Sequence, residues 1–293
     1  MIDERRAPAA PWWPAPAKLN LFLHVTGRAA GGYHHLQTLF QLLDWCDELQ
    51  LEVTDAPDIV RSMGPAAIPA DHDLCVRAAR LLQQAAGERR GARIRLRKRV
   101  PMGGGLGGGS SDAATVLCVL DRLWGLYLGA DALADLGLRL GADVPLFVRG
   151  ESAWGEGRGE LLTPVDLPAR WFVILHPGIS VSTAEIFQAA ELTRNSPVIR
   201  LDAFTSAAAL GAGFRNDCEA VVRARVPEVG AALDWLGAFA PARMTGTGAC
   251  VFAAFDSAAA AERVAARAPD RWTSRVAQGL QRSPLQQRLA AMA

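Results

Sequence analysis

The stretch Pro101-Met-Gly-Gly-Gly-Leu-Gly-Gly-Gly-Ser-Ser-Asp112 decides how this chain is read, because six of the seven residues from Gly103 to Gly109 are glycine. Ordering glycine is entropically costly, so a dense cluster between structured elements needs a return. The usual one is backbone N–H groups brought against something large and anionic. Upstream, Ile94, Leu96 and Val100 alternate with Arg93, Arg95, Arg97 and Arg99, the pattern of a half-buried strand that puts Lys98 at the end nearest the glycines. Downstream, Ala113, Ala114, Val116, Leu117, Val119, Leu120, Leu123 and Trp124 fill most of a helix surface, with Ser110 or Ser111 as the expected N-cap. A helix that begins there adds the positive end of its dipole, so the run reads as a phosphate cradle of Pro101, Met102, Gly103, Gly104, Gly105, Leu106, Gly107, Gly108, Gly109, Ser110 and Ser111.

The two commonest cradles do not fit. A G-x-G-x-x-G match runs through Gly103, Gly105 and Gly108, but another helix follows where the dinucleotide fold needs a second strand ending in an acid. No Gly-Lys-Ser/Thr closes the loop as in a P-loop, and the protein-kinase strings are absent. A flexible Gly/Ser linker would not be tied at both ends to strongly apolar elements.

The chain has 293 residues, half of them hydrophobic, enough for two ordinary cores. The Pro164–Arg170 stretch is the expected boundary, dividing the chain into residues 1–165 and 166–293. A formal net charge of +1 gives no general attraction to nucleic acid or acidic membrane. Five dispersed cysteines without a C-x-x-C pair suggest neither disulfides nor zinc but buried thiols in a reducing cytoplasm. No apolar stretch suits a secretion signal or a membrane span, so a cytoplasmic protein is expected. Only Lys18 and Lys98 among the 31 basic residues are lysine, which marks both as candidates for sites that need a compact ammonium.

Lys18 lies in a second informative segment. From Pro16 to Val25 the residues alternate, so that Lys18, Asn20, Phe22 and His24 share one strand face. Apolar runs at Leu36–Leu43 and Leu49–Val53 read as two further strands, and Asp71 or Asp73 as the cap of a helix that stops at Gly87. Helix and strand patterns in both halves suggest an α+β arrangement of helices on mainly antiparallel sheets.

The strings Pro16-Ala-Lys-Leu-Asn-Leu-Phe22, Pro101 to Ser111 and Met244-Thr-Gly-Thr-Gly-Ala249 resemble, in order, the three motifs of the GHMP small-molecule kinases. Gly32-Tyr-His34, Gly141-Ala-Asp-Val-Pro145, His176-Pro-Gly178 and Arg215-Asn-Asp217 resemble the branch that phosphorylates the 2-hydroxyl of a cytidyl-linked methylerythritol in the non-mevalonate route to isoprenoids. The resemblance implies a two-domain α+β fold, with an N-terminal domain like ribosomal protein S5 domain 2 and a ferredoxin-like C-terminal domain. It implies ATP and Mg2+ as reaction partners, with metal ligands the sequence does not reveal. Catalysis would fall to Asp143 near the acceptor hydroxyl and to Lys18 beside it. A carboxylate next to an ammonium orients a hydroxyl better than it deprotonates it, and a loose phosphoryl transfer tolerates a weak base. Lys98 would face phosphate or nucleotide. Tyr33 and Phe187 would stack a cytosine, His34 would read its edge, Asn20 would contact the methylerythritol, and Thr245 and Gly246 would close from the second domain.

Each reading has a plainer rival. Asp143 fits a turn, Phe187 fits a helix core, His24 a satisfied strand histidine, and Asp112 a first-turn residue that favours the helix dipole. A homoserine or mevalonate kinase is the alternative within the family, and an S5-like RNA-binding protein lies outside it. The expected partner is a small molecule, with no nucleic acid or membrane, for a monomer or weak homodimer.

Overall fold

The computed structural model describes residues 10–28, 32–201 and 214–291. In the first half, β1 (Trp12–Arg28) and β2 (His34–Thr54) form a long antiparallel pair, followed by β3 (Ile59–Met63), α1 (Leu74–Ala86), β4 (Gly91–Arg97), α2 (Gly108–Leu123), α3 (Ala130–Leu138), α4 (Val144–Arg149), β5 (Ala153–Glu156) and β6 (Leu161–Pro164). The second half contains β7 (Trp171–His176), α5 (Thr183–Gln188), α6 (Glu219–Arg225), α7 (Pro227–Gly237), β8 (Ala242–Met244), β9 (Val251–Phe255), α8 (Ala258–Ala265), β10 (Thr273–Leu280) and α9 (Pro284–Ala290). Apart from the parallel β3–β4 pair, the strand pairings are antiparallel, as the α+β reading expects.

β2 is one strand of 21 residues rather than the two expected, because it serves several partners in turn. One edge pairs with β1, while along the other β5 meets residues 38–40, β10 meets 42–43 and β4 meets 48–54. The polar residues do not end the strand: Asp44 lies where the ladder with β1 shifts register, between Leu42 and Cys46, while Asp47 and Glu48 stay paired with Ala15 and Pro14. The contact of Gly279 and Leu280 with Leu43 and Leu42 joins the sheets of the two halves.

Helix α2 is the spine of the first core, and Ala113, Ala114, Val116, Leu117, Val119 and Leu120 are all fully buried. It starts at Gly108, two to three residues before the expected cap, and Gly107 in left-handed conformation takes the N-cap position with no side-chain cap. The glycines allow this early start because the helix entry needs a positive φ that Ser110 and Ser111 would resist. Asp73 caps α1 and Gly87 closes it, as read from the sequence. Pro145 stands in the first turn of α4, where its missing N–H costs nothing. Trp13 is buried in this core and anchors the start of β1. Leu285 and Leu289 of α9 return to the same core from the end of the chain, and a second core gathers β7, β9, α6 and α7.

Candidate active site

Two cavities lie on opposite sides of the glycine loop. One, about 350 Å³, is lined by Pro101 to Ser110 together with Leu74, Leu96 and Lys98. The other, about 300 Å³, is lined by Lys18, Asn20, Thr38, Asp143, Phe187 and Gly246 among others. Gly105, Gly107 and Ser110 belong to both, so the loop is a shared wall.

The glycines meet a second demand that composition does not reveal. A Cβ on Gly105 would stand 2.2 Å from the Thr245 carbonyl oxygen, one on Gly104 would stand 2.6 Å from Cys250 Sγ, and one on Gly107 would stand 2.8 Å from Phe147. The loop is packed directly on the Met244–Ala249 loop of the second half. Cys250 N–H donates to the Gly104 carbonyl at 3.1 Å and the Thr245 hydroxyl to the Gly105 carbonyl at 3.3 Å. Asn216 holds the far side by donating to the carbonyls of Met244 (2.8 Å) and Gly246 (2.7 Å). Thr245 is therefore a fully buried link between the halves, and the neighbouring Gly246 and Thr247 line the cavity.

Lys18 is buried, and its ammonium donates to the Gly105 carbonyl at 2.9 Å and to Asn20 Oδ1. Asp143 Oδ2 lies 3.4 Å from the same nitrogen. Asp143 occupies the N-cap position of α4 without using its side chain as a cap, which leaves the carboxylate to the cavity. Asn20 is fixed on all sides: its side chain donates to Thr38 Oγ1 at 2.8 Å and its backbone N–H to Thr245 Oγ1 at 2.9 Å. The alternation expected for this strand breaks, however. A register shift between Asn20 and Leu23 turns Leu23 into the cavity after Lys18 and Asn20. His24 packs instead against Phe22 and Phe214, with both ring nitrogens unpartnered among the described residues. Burial lowers its pKa, Asp217 opposes the shift and Arg215 adds to it.

Lys98 reaches the first cavity, but it is held from behind by two carboxylates: Asp47 Oδ2 at 2.5 Å and Asp112 Oδ2 at 2.9 Å. Asp47 is wholly buried and its other oxygen accepts from the backbone N–H groups of Arg99 (2.5 Å) and Val100 (2.8 Å). It thus pins the strand end that enters the loop, while Lys98 links it to Asp112 in the second turn of α2. Asp112 has no second partner for Oδ1 among the described residues. Burial pushes its carboxyl up to about 8, with Lys98 pulling down and Asp47 pushing up. Burial alone would lower the Lys98 ammonium, but the two carboxylates outweigh it and its pKa rises. One ammonium cannot neutralise two buried carboxylates; Asp47 also accepts from two backbone N–H groups whereas Asp112 Oδ1 accepts from none, so the proton stays on Asp112. The first-turn reading of Asp112 as a dipole partner gives way to this buried network, which no local pattern shows because Asp47 comes from β2.

Phe187 packs on the second core and also lines the second cavity, so its place in the core does not remove it from the site. Its ring stacks on His34 with centroids 5.1 Å apart. Tyr33 is exposed, with the Arg158 guanidinium 4.9 Å from its ring centre. Tyr33 and His34 are not on the cavity wall itself, and Ser111 lies buried behind the loop with its hydroxyl unpartnered among the described residues. Arg158, Thr38, Asp47 and Arg194 escaped the sequence reading, since each acts through partners far away in the chain.

Residues 73–151 match the family model described as GHMP kinases N terminal domain, and residues 198–274 match GHMP kinases C terminal. The chain belongs to the GHMP kinase family and is a small-molecule kinase. Among its relatives, the protein of Alkalilimnicola ehrlichii named 4-diphosphocytidyl-2-C-methyl-D-erythritol kinase is 58% identical over 278 residues, which cover 94% of both chains. A protein of the same name from Chromohalobacter salexigens is 55% identical over 93% of this chain and 92% of its own. The crystal structure of 4-(cytidine 5'-diphospho)-2C-methyl-D-erythritol kinase superposes with a TM-score of 0.81 at 33% identity, covering 92% of this chain and 99% of that one. Homoserine kinase from Cytophaga hutchinsonii shares the fold, with a TM-score of 0.72 at 16% identity over 97% of this chain and 98% of its own.

Proposed function

We propose that this chain transfers the γ-phosphoryl group of ATP to the 2-hydroxyl of 4-diphosphocytidyl-2-C-methyl-D-erythritol, a step of the non-mevalonate route to isoprenoid precursors. The observation that carries the proposal is the shared wall: two cavities meet at Gly105, Gly107 and Ser110, with Lys18 and Asp143 beside the junction. A donor nucleotide on one side and an acceptor on the other would face each other across it. The start of α2 suits phosphate, because Gly107 offers no side-chain cap and the first N–H groups of a helix have no partner within it. Leu74, Leu96, Pro101 and Met102 give the first cavity an apolar end fit for an adenine ring.

In this reading the substrate oxygen attacks phosphorus, the bond to the bridging oxygen of ADP breaks, and Asp143 orients the hydroxyl and takes its proton. Lys18, anchored by Gly105 and Asn20, stabilises charge on the transferred group. Lys98 serves the nucleotide side while holding the loop. Tyr33, His34 and Phe187 take the cytosine, Asn20 the methylerythritol, and Thr245 and Gly246 keep the second loop against the first.

Mg2+ bound with the nucleotide would neutralise phosphate charge, and the Ser110 hydroxyl, on both cavity walls, would be a ligand for it. The division at 165/166, action as a monomer or weak homodimer, and a cytoplasmic location complete the proposal. Five free thiols suit a reducing compartment, and no helix among the described residues is long and apolar enough to cross a membrane.

An assay of ATP consumption against the cytidyl substrate, homoserine and mevalonate tests the proposal. Turnover is expected with the first, and turnover with only one of the others would overturn the substrate while leaving the family intact.

A further inference from the structure

The imidazole of His34 has one hydrogen-bond partner among the described residues: Arg194 Nε–H, which donates to His34 Nε2 at 3.0 Å. A guanidinium has no acceptor and does not lose its proton, so His34 Nε2 must offer its lone pair. A neutral imidazole with a lone pair on Nε2 carries its proton on Nδ1. The cationic ring would set two N–H groups against each other.

Arg194 is itself held rigidly. Its terminal nitrogens donate to the carbonyls of Ala189 (2.6 Å), Phe187 (3.0 Å) and Leu192 (3.1 Å), at and beyond the end of α5. One side chain therefore fixes the backbone carrying Phe187, the ring stacked on His34, and the proton position on His34. Every charge set against the imidazole acts in the same sense. Burial lowers its pKa most, then Arg194 from the segment after α5, then Arg28, which stands opposite His34 in the β1–β2 register.

We propose that Arg194 is a specificity-determining positioning residue that locks His34 as the neutral Nδ1–H tautomer, so that the site presents a donor to the pyrimidine edge and selects cytosine over uracil. The inference rests on the reading of the acceptor as a cytidyl compound with His34 at its base. Ring nitrogen N3 of cytosine is an acceptor and matches an Nδ1–H donor. In uracil N3 carries a hydrogen, and two donors would meet in a desolvated site. Discrimination of this kind comes from leaving buried polar groups unpaired in the wrong complex.

Two measurements test the proposal. Long-range proton–nitrogen NMR correlations on the wild-type protein without substrate are expected to show His34 neutral, with Nδ1 protonated, from about pH 6.5 upwards. An Nε2–H tautomer or an imidazolium there would overturn it whatever the enzyme phosphorylates. Second, kcat/KM is compared for the cytidyl substrate and its uridyl analogue in the wild type and in Arg194→Met. The variant is expected to lose about tenfold of the cytidyl preference, the worth of one well-placed hydrogen bond, while KM for ATP is unchanged. Its pH profile should gain an acid limb as the His34 pKa rises, and an unchanged preference would overturn the proposal. Arg194→Lys keeps the charge without the fixed Nε–H and should recover less than half of the lost preference. Full recovery would show that charge rather than the tautomer lock sets the choice. A protein with the expected tautomer that phosphorylates neither pyrimidine compound would overturn the proposed activity, and the base choice with it, while the tautomer assignment stands.

Discussion

Gly105→Ala should disable the enzyme through geometry rather than through lost contact with nucleotide. Gly105 has φ +75, a conformation that costs an L-residue about 1–2 kcal/mol. Its new Cβ would lie 2.2 Å from the Thr245 carbonyl oxygen, 3.0 Å from the carbon behind it and 3.1 Å from the Gly248 carbonyl oxygen. All three are backbone atoms, so no side chain can swing aside, and the two loops must part by about 1 Å to reach ordinary contact. Parting them strains the two inter-loop hydrogen bonds at Gly104 and Gly105, each worth about 1 kcal/mol. The summed stability loss is about 3–4 kcal/mol. The Gly105 carbonyl also anchors the Lys18 ammonium, so the shift displaces the charged group nearest the junction of the cavities. A displacement of that size should lower kcat about 100-fold. Urea unfolding and steady-state turnover with the cytidyl substrate read the two effects. Gly109→Ala is the internal control, because its Cβ would meet only the tip of Leu74 at 3.3 Å and it should change stability by less than about 1 kcal/mol. If Gly105→Ala kept wild-type turnover and stability, the claim that loop-on-loop packing demands that glycine would be wrong.

Three further perturbations probe other parts of the structure. Lys18→Arg keeps the charge but replaces a compact ammonium seated between Gly105, Asn20 and Asp143 with a planar fork, so it should lose most of kcat with little change in KM for ATP; near-normal turnover would refute the proposed role. Asp112 is raised in the folded state from an ordinary 3.8 to about 8, so the native protein holds a proton there that the unfolded chain releases. Stability tied to that proton is complete below about pH 4 and fades as pH rises towards 8, with a slope of at most about 1.4 kcal/mol per pH unit. Asp112→Asn should flatten this part of the stability profile measured by denaturant titration at pH 5, 7 and 8, and an unchanged slope would count against the protonated carboxyl. Leu285→Ala removes a fully buried side chain from the first core and should cost about 2–5 kcal/mol in unfolding free energy; a loss below 1 kcal/mol would mean that α9 does not belong to that core.

Much of this protein is legible in the sequence, where the decisive information is local. The apolar pattern around the glycine run marks a strand and a buried helix, Asp73 and Gly87 mark the ends of α1, and the scarcity of lysine points to Lys18 and Lys98. The paired roles of Lys18 and Asp143 follow from motif resemblance, and the fold brings the two side chains to 3.4 Å. What the sequence could not show depends on residues far apart in the chain. The register shift in β1 sends Leu23 rather than His24 to the cavity because the ladder with β2 sets the pleat. Asp47 meets Lys98 and Asp112 because β2, β4 and α2 converge beneath Gly108. Arg194 reaches His34 across 160 positions. Periodicity and composition determined that the glycine run lies between two apolar elements and pointed to an anion cradle. The tertiary structure decided that the run is also the seam between the two halves, because only glycines allow the backbones of two loops to approach so closely.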